Sequence, residues 1–388
     1  MAKSGQPPIV LLLLRANSQE SRDESSRHFF YRRHFLKSTT SPPSSATTSS
    51  TNHRRSMADS LLAYLYFLPL FLLLPLSLIA LLFLLARPRP VKIPIKNRHV
   101  FVTGGSSGIG LALAHRAASE GASRVSILAR SADKLEEAKR AIQLASGVDV
   151  EVFPADVRDY ESVAKAVSDA GPIDVLIVNQ GVFVTKELEK LELDEVKFML
   201  DVNLMGSINV IKAALPAMKS SRKEHGPGSI ALLSSQAGQV GVYGYTAYSA
   251  SKFGLRGLAE ALQQEVIADN IHISLVFPPD TETPGFAEES RTRPKLTDII
   301  VANPSAMKAE EVAKKAFDGI KRGSFTVPCN FEGLMLSLTT AGMSPQRSFV
   351  LAFAEVVTAG LLRVVALFYL WNWYGSIEKW FRQQNSKH

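Results

Sequence analysis

The sequence predicts an α/β fold, a doubly wound parallel sheet in a single catalytic domain flanked by two apolar segments. Three observations predict it. From Asn97 onward, short β-branched runs alternate with helix-length stretches, the pattern of parallel strands joined by crossover helices. The first run opens into TGGSSGIG at 103–110, a glycine-rich turn of the kind that receives a pyrophosphate. Tyr248 and Lys252 stand four residues apart in YSASKFGLRGLAEALQ, which puts both on one face of a helix.

Size and charge narrow the function. With 388 residues, 46% of them hydrophobic, the chain has ample material for a core. The net charge of +8 is concentrated early, since residues 1–59 hold nine Lys/Arg against four Asp/Glu. No basic patch interleaved with aromatics follows, so nucleic acid is not an expected partner. The single cysteine, Cys329, excludes an intrachain disulfide and a cysteine-built metal site, and no metal is expected. That usage fits a reducing compartment.

Residues 1–56 read as a disordered extension. Eleven of the fourteen residues from Ser38 to Thr51 are Ser or Thr without an apolar period. Arg27, Arg32, Arg33, Arg54 and Arg55 give it a transit-peptide flavour that Glu20, Asp23 and Glu24 weaken. Met57 is read as the start in at least some of the product. Leu61–Ala86 is 26 residues without a charge, and at about 1.5 Å per residue it spans a bilayer core as a transmembrane helix. Pro69 and Pro75 kink it, which membrane helices tolerate. Arg87, Arg89, Lys92, Lys96 and Arg98 follow directly, and the positive-inside bias puts the rest of the chain in the cytosol.

The domain is expected over 97–325. His99–Thr103, Arg124–Ala129, Val150–Pro154, Asp174–Asn179, Ser229–Ser234 and Ile271–Phe277 read as strands, with Leu111–Glu120 and Lys134–Leu144 as helices between the first three. In the loop after the first strand, Gly104, Gly108 and Gly110 let the backbone turn tightly and approach a phosphate at a helix N-terminus. Ser106 and Ser107 add hydroxyl donors, and Ile109 lies between the last two glycines. The second strand ends in Ala129-Arg130, with Lys134 one turn on, where an acidic residue would select a ribose 2′-hydroxyl. Two cations there favour a 2′-phosphate, hence NADPH. Asp156 is placed to meet the adenine edge, and Asn179 and Gly181 to pass close to the cofactor.

An ammonium one helical turn from a phenol favours the phenolate and brings tyrosine toward acid–base work near neutrality. Ser235, thirteen residues before Tyr248, supplies a hydroxyl that can polarise a carbonyl as charge builds on it. Ser234 lies beside it, and the register between the two serines stays open, with the spacing favouring Ser235.

Together these residues resemble the short-chain dehydrogenase/reductase family over roughly residues 97–325, with TGGSSGIG, Asp156, Asn203 in DVNLMG, Ser235 and YSASK as the carriers. The resemblance implies a Rossmann domain and a catalytic tetrad of Asn203, Ser235, Tyr248 and Lys252. In it the tyrosine handles the proton, the lysine tunes it and holds the nicotinamide ribose, and the asparagine keeps a water in the relay. VNQG at 178–181 departs from the family's usual NNAG, which leaves the contacts of Gln180 open. The stretches 234–266 and 277–295 resemble, within the family, reductases of a 3-keto long-chain base at the endoplasmic reticulum membrane. That likeness implies a lipid long-chain-base substrate, a catalytic domain facing the cytosol and pairing as a homodimer. Steroid, retinoid or 3-ketoacyl substrates, and a non-catalytic NADPH-binding scaffold, remain the alternatives.

Segment 281–302 is expected to form a lid, with Glu282, Glu288 or Glu289 either near a substrate ammonium or solvated. Residues 326–388 read as membrane-associated or interface-forming. Phe349–Trp373 approaches spanning length but holds Glu355 and Arg363, so crossing and lying on the membrane stay equally open. Trp371, Trp373, Tyr374 and Trp380 suit an interfacial belt.

Overall fold

The computed structural model describes residues 49–86, 91–301 and 306–386. Two units separate: residues up to Leu70, and Phe71–His388. The first helix, α1 (Ser49–Ala86), runs through that boundary. The expected extension lies outside the described residues up to position 48, and its last residues form the opening turns of α1. Arg87 and Arg89 of the basic cluster also lie outside them. In α1 the described side chains from Tyr64 to Leu85 are largely exposed, as an uncharged helix without a polar face would be if lipid were its solvent.

The second unit is built on a seven-stranded parallel sheet in the order β3-β2-β1-β4-β5-β6-β9. Its strands are β1 (His99–Thr103), β2 (Arg124–Ala129), β3 (Asp149–Pro154), β4 (Val175–Val178), β5 (Gly228–Leu233), β6 (Ile271–Phe277) and β9 (Thr326–Pro328). Burial on both faces explains why the strands read as near-continuous apolar runs. Period-2 alternation then sorts them: Val100, Val102, Val125, Ile127 and Ile177 go to one core, and Phe101, Leu128, Leu176, Ile230 and Ile273 to the other.

Helices α2 (Gly108–Ser119), α3 (Ala132–Ser146) and α10 (Ala309–Lys321) cover the first face through Leu113, Leu135, Val312 and Phe317. Helices α4 (Tyr160–Ala170), α6 (Gly206–His225) and α7 (Thr246–Val266) cover the second through Val163, Val210, Leu255 and Leu262. A shorter helix, α5 (Leu193–Leu200), runs into α6 through a π-helical turn at Asp201–Met205. The strand order reverses between β1 and β4, and ligands of such sheets bind at the carboxyl ends of the strands at that point.

The sheet holds one strand more than the six read from the sequence. β9 pairs with β6 from Leu275 to Phe277. It starts one residue past position 325 and has only three residues, one a proline, so no run of apolar alternation announces it. Between β6 and β9 lie β7 (Thr281–Glu282), α8 (Pro284–Thr292), α9 (Lys295–Val301) and β8 (Met307–Lys308), with β7 and β8 paired as a separate ribbon. After β9, α11 (Phe331–Thr339) leads to α12 (Phe349–Asn385), a single unbroken helix. α12 packs against α11 and against the lid helix α9. Val350, Leu361, Val364, Trp371 and Tyr374 are exposed on it, while the Glu355 carboxylate accepts from Gln346 Nε2 at 2.7 Å.

Candidate active site

A cavity of about 730 Å³ opens at the carboxyl ends of the strands, walled by the glycine loop, the ends of β2 to β5, the start of α7 and the lid. Gly104 and Gly108 take φ of +63° and +54°, values that favour glycine. Gly110 does not line the cavity but sits behind it, where an added Cβ would overlap the Gly104 carbonyl oxygen and the Asn179 amide. Asn179 clamps the loop, its Nδ2 donating to the carbonyls of Thr103 (3.1 Å) and Gly104 (3.4 Å). Ser107 stands at the N-cap of α2 with extended backbone and no capping hydrogen bond from its side chain. Its hydroxyl and the first amides of α2 are therefore free to meet an anion.

Ser106, Ser107, Ile109, Arg130, Lys134, Asp156, Asn179 and Gly181 all reach the cavity wall. Arg130 and Lys134 are exposed at its rim. The Asp156 carboxylate is held by Arg158, whose Nη2 donates at 2.7 Å and Nε at 3.1 Å. That pairing keeps the carboxyl below its usual range and fixes the turn after β3.

The catalytic candidates come from three elements. Tyr248 and Lys252 rise from the first turns of α7, with Lys252 Nζ 5.7 Å from the Tyr248 ring centroid. Lys252 Nζ donates to the Leu233 carbonyl at 2.9 Å, and burial lowers its pKa to about 8. Gly181 runs alongside, an added Cβ there lying 3.4 Å from Lys252 Nζ. The two serines divide their tasks. Ser234 Oγ donates to the Lys252 carbonyl at 3.0 Å and so braces the helix that carries the lysine. Ser235 Oγ acts on Tyr248, easing its ionisation. Ser234 Oγ is thus engaged by α7, whereas Ser235 Oγ accepts from Ala237 N at 3.2 Å, and both serines line the cavity.

Asn203 lies in the π-helical turn, fully buried and not on the cavity wall. Its amide makes three hydrogen bonds: Oδ1 accepts from Val182 N at 2.8 Å, and Nδ2 donates to Val182 O at 2.8 Å and Ser251 Oγ at 2.9 Å. The side chain thus positions the Gly181–Val182 backbone beside Lys252. Gln180 acts in the same way, accepting from Thr103 Oγ1 (2.5 Å) and donating to Ser207 Oγ (3.0 Å). It cross-links the end of β1 to α6.

One electrostatic expectation is corrected. The spacing argument has the lysine draw the phenol down, yet burial raises Tyr248 above the ordinary tyrosine value, with Glu289 and Asp280 adding to the rise. Desolvation of the phenol, partly buried on the cavity wall, is the largest influence, and the Lys252 ammonium is already engaged with the Leu233 carbonyl. The phenol therefore stays protonated at neutral pH, the state required of a proton donor.

The lid contributes residues that sequence reading passed over. Tyr245 lies next to Tyr248, ring centroids 5.8 Å apart, and its hydroxyl donates to the Glu289 carboxylate. Arg293 pairs with Glu289 (2.9 Å) and Asp280 (3.1 Å). Of the three lid glutamates only Glu289 is buried on the cavity; Glu282 is exposed, and Glu288 pairs with Arg291 at 3.0 Å. Thr283 stands over Gly108, so the lid meets the glycine loop. A carboxylate followed at i+4 by an arginine after a Pro-Pro break was the available signal.

Residues 98–294 match the sequence model of a family described as short chain dehydrogenase. Over 297 residues the chain is 70% identical to the 3-dehydrosphinganine reductase TSC10A of Arabidopsis thaliana, covering 76% of this chain and 90% of that protein. It is 66% identical over 317 residues to TSC10B of the same plant, also a 3-dehydrosphinganine reductase, covering 82% and 95%. Among solved structures, levodione reductase is 26% identical with a TM-score of 0.55, over 60% of this chain and 96% of that one.

Proposed function

The chain belongs to the short chain dehydrogenase family, and from that premise we propose that it reduces 3-ketodihydrosphingosine to sphinganine in sphingolipid biosynthesis, with NADPH as the reductant. The observation that carries this reading is Tyr248 with Ser235 and Lys252 on the wall of a cavity that begins in a phosphate-ready glycine loop, in a chain 70% identical to a 3-dehydrosphinganine reductase.

The residues fit a nicotinamide dinucleotide. The loop at Gly104, Gly108 and Gly110 has no room for side chains at its close approaches, and the uncapped start of α2 offers amides and the Ser107 hydroxyl to a pyrophosphate. Arg130 and Lys134 suit a 2′-phosphate, which two cations bind and a 2′-hydroxyl does not need. Asp156 would face the adenine, with Asn179 and Gly181 along the nicotinamide side. When bound, the reduced nicotinamide supplies the hydride. Everything else falls to the chain. Ser235 donates to the ketone oxygen and polarises it, and Tyr248 gives its proton to that oxygen as negative charge develops there. Lys252 stabilises the resulting phenolate across one helical turn. Asn203 holds the Gly181–Val182 backbone in place behind them, and Gln180 ties the end of β1 to α6.

The charge on Lys252 sets an alkaline limit. Below pH about 8 the ammonium is charged and supports the phenolate; as pH rises through about 8 it is lost. Tyr248 remains protonated over the same range, so the fall belongs to the lysine. The kcat of reduction should be level from pH 6 to about 7.5 and then decline about tenfold per unit. In Lys252→Arg, whose guanidinium stays charged, the limb should move upward; an unmoved limb would refute the assignment.

The same reading puts the chain in the endoplasmic reticulum membrane with this cavity on the cytosolic side, where the exposed apolar faces of α1 and α12 meet lipid. Two copies are taken to pair through the helices flanking the site. The direct test is detergent-solubilised protein supplied with 3-ketodihydrosphingosine and either NADPH or NADH. Formation of sphinganine, at least about tenfold faster with NADPH at limiting cofactor, is the expected result. Turnover with equal use of both cofactors would remove the role of Arg130 and Lys134. Reduction of steroids, retinoids or 3-ketoacyl substrates in its place would remove the sphingolipid reading.

A further inference from the structure

The geometry points to Asp280 and Glu289, backed by Arg293, as the seat of the substrate's ammonium group, and so as the element that selects an amino ketone over a neutral one. This inference rests on the proposed keto-base substrate.

The cavity is electrically polarised. Among the described residues its wall carries Arg130, Lys134 and the Arg158-paired Asp156 at the glycine-loop end, Lys252 beside Tyr248, and Asp280 and Glu289 at the lid end. Arg293, the partner of both lid carboxylates, is not on the wall. Its side chain is only 6% exposed, and its guanidinium packs 5.7 Å from the Tyr245 ring centroid and 5.4 Å from that of Phe286. The guanidinium thus holds the carboxylates from behind, through Nη1 to Asp280 Oδ2 (3.1 Å), Nε to Glu289 Oε1 (2.9 Å) and Nη2 to Glu289 Oε2 (3.0 Å). The face turned to the ligand is negative. One guanidinium is shared between two carboxylates, and the Asp280 side chain stays 25% exposed, so the pair keeps net negative charge open to a cation from the cavity. Asp280 Oδ1 accepts no hydrogen bond from the described residues, which leaves an acceptor for such a cation.

The position suits the substrate. Tyr245 bridges the two regions, donating to Glu289 and lying one ring from Tyr248. In a 3-keto long-chain base the ammonium sits on the carbon next to the carbonyl, so a ketone at Tyr248 brings the ammonium to this neighbourhood. Both carboxylates push the Tyr248 phenol upward. A docked ammonium offsets that push and makes the proton easier to give, so the substrate's own charge assists its reduction.

The experiment compares two substrates on the full-length solubilised chain, 3-ketodihydrosphingosine and a des-amino analogue of the same length that keeps the ketone and terminal hydroxyl. Wild type, Asp280→Asn and Glu289→Gln are measured with each. The quantity read is the ratio of kcat/KM for the amino ketone to that for the neutral ketone. It should fall on the order of tenfold to a hundredfold in either variant, chiefly through KM for the amino ketone. A purely structural lid staple moves both substrates together, so an unchanged ratio in Asp280→Asn overturns the seat. Asp280→Asn decides if Glu289→Gln, which disturbs a buried pair, fails to fold. A wild type that reduces the neutral ketone and not the keto base overturns the substrate reading and the seat with it.

Discussion

Replacing Tyr248 by Phe is expected to lower kcat for ketone reduction by about 10²–10⁴-fold, the usual contribution of a positioned proton donor. The change removes one oxygen and keeps the ring. That ring packs edge-on against Phe183 at 5.9 Å and lies 5.8 Å from Tyr245, contacts a phenylalanine preserves. Desolvation of the phenol is the largest influence on it, so its loss relieves a buried polar group and should leave thermal stability close to wild type. Cofactor affinity should also hold, because Lys252 and Gly181 keep their positions through Ser234, Leu233 and Asn203. Stopped-flow reduction alongside cofactor titration and a melting curve checks all three quantities. A variant retaining more than about a tenth of wild-type kcat would show that the proton comes from elsewhere.

The second large effect is expected from Gly110→Ala. The new methyl group would overlap the Gly104 carbonyl and the Asn179 amide. Neither can retreat cheaply: Gly104 is fixed at φ +63°, and Asn179 is tied to Thr103 and Gly104. Overpacking of this kind costs about 1–3 kcal/mol, and relief comes by opening the loop that faces the pyrophosphate. Cofactor Kd should therefore rise about tenfold to a hundredfold, together with a fall in melting temperature. Gly147→Ala is the matched control. Gly147 caps α3 at φ +69° with no atom within 4 Å of an added Cβ, so it should lose about 1–2 kcal/mol of stability from backbone strain alone and leave cofactor binding intact. Equal losses of cofactor affinity in the two variants would contradict the cradle.

Much of this protein is determined by local pattern, and for a common reason. The strand–helix alternation is written in apolar periodicity because the central strands β1, β4, β5 and β6 are buried on both faces, and the alternation of Val100, Phe101 and Val102 between two cores follows from the pleat. The glycine loop and the Tyr248–Lys252 spacing are equally local, since a tight turn and one helical turn each lie within a few residues. The length and lack of charge of 61–86 likewise state an apolar helix without any tertiary information.

What tertiary structure decided lies where one residue's role depends on a distant partner. β9 is a strand only because β6 offers it an edge. Ser234 and Ser235 are indistinguishable neighbours until the Lys252 carbonyl claims one hydroxyl. Gln180 looks like an ordinary polar residue until β1 and α6 converge on it, and the partners of Asn203 appear only once α7 packs beside it. The direction of the Tyr248 shift depends on how the folded chain desolvates the phenol, which spacing along a helix does not report. The lid network joins Tyr245 to Asp280, Glu289 and Arg293, 35 to 48 positions further along the chain, and electrostatics acts through space, so only the folded chain shows where these carboxylates meet the cavity.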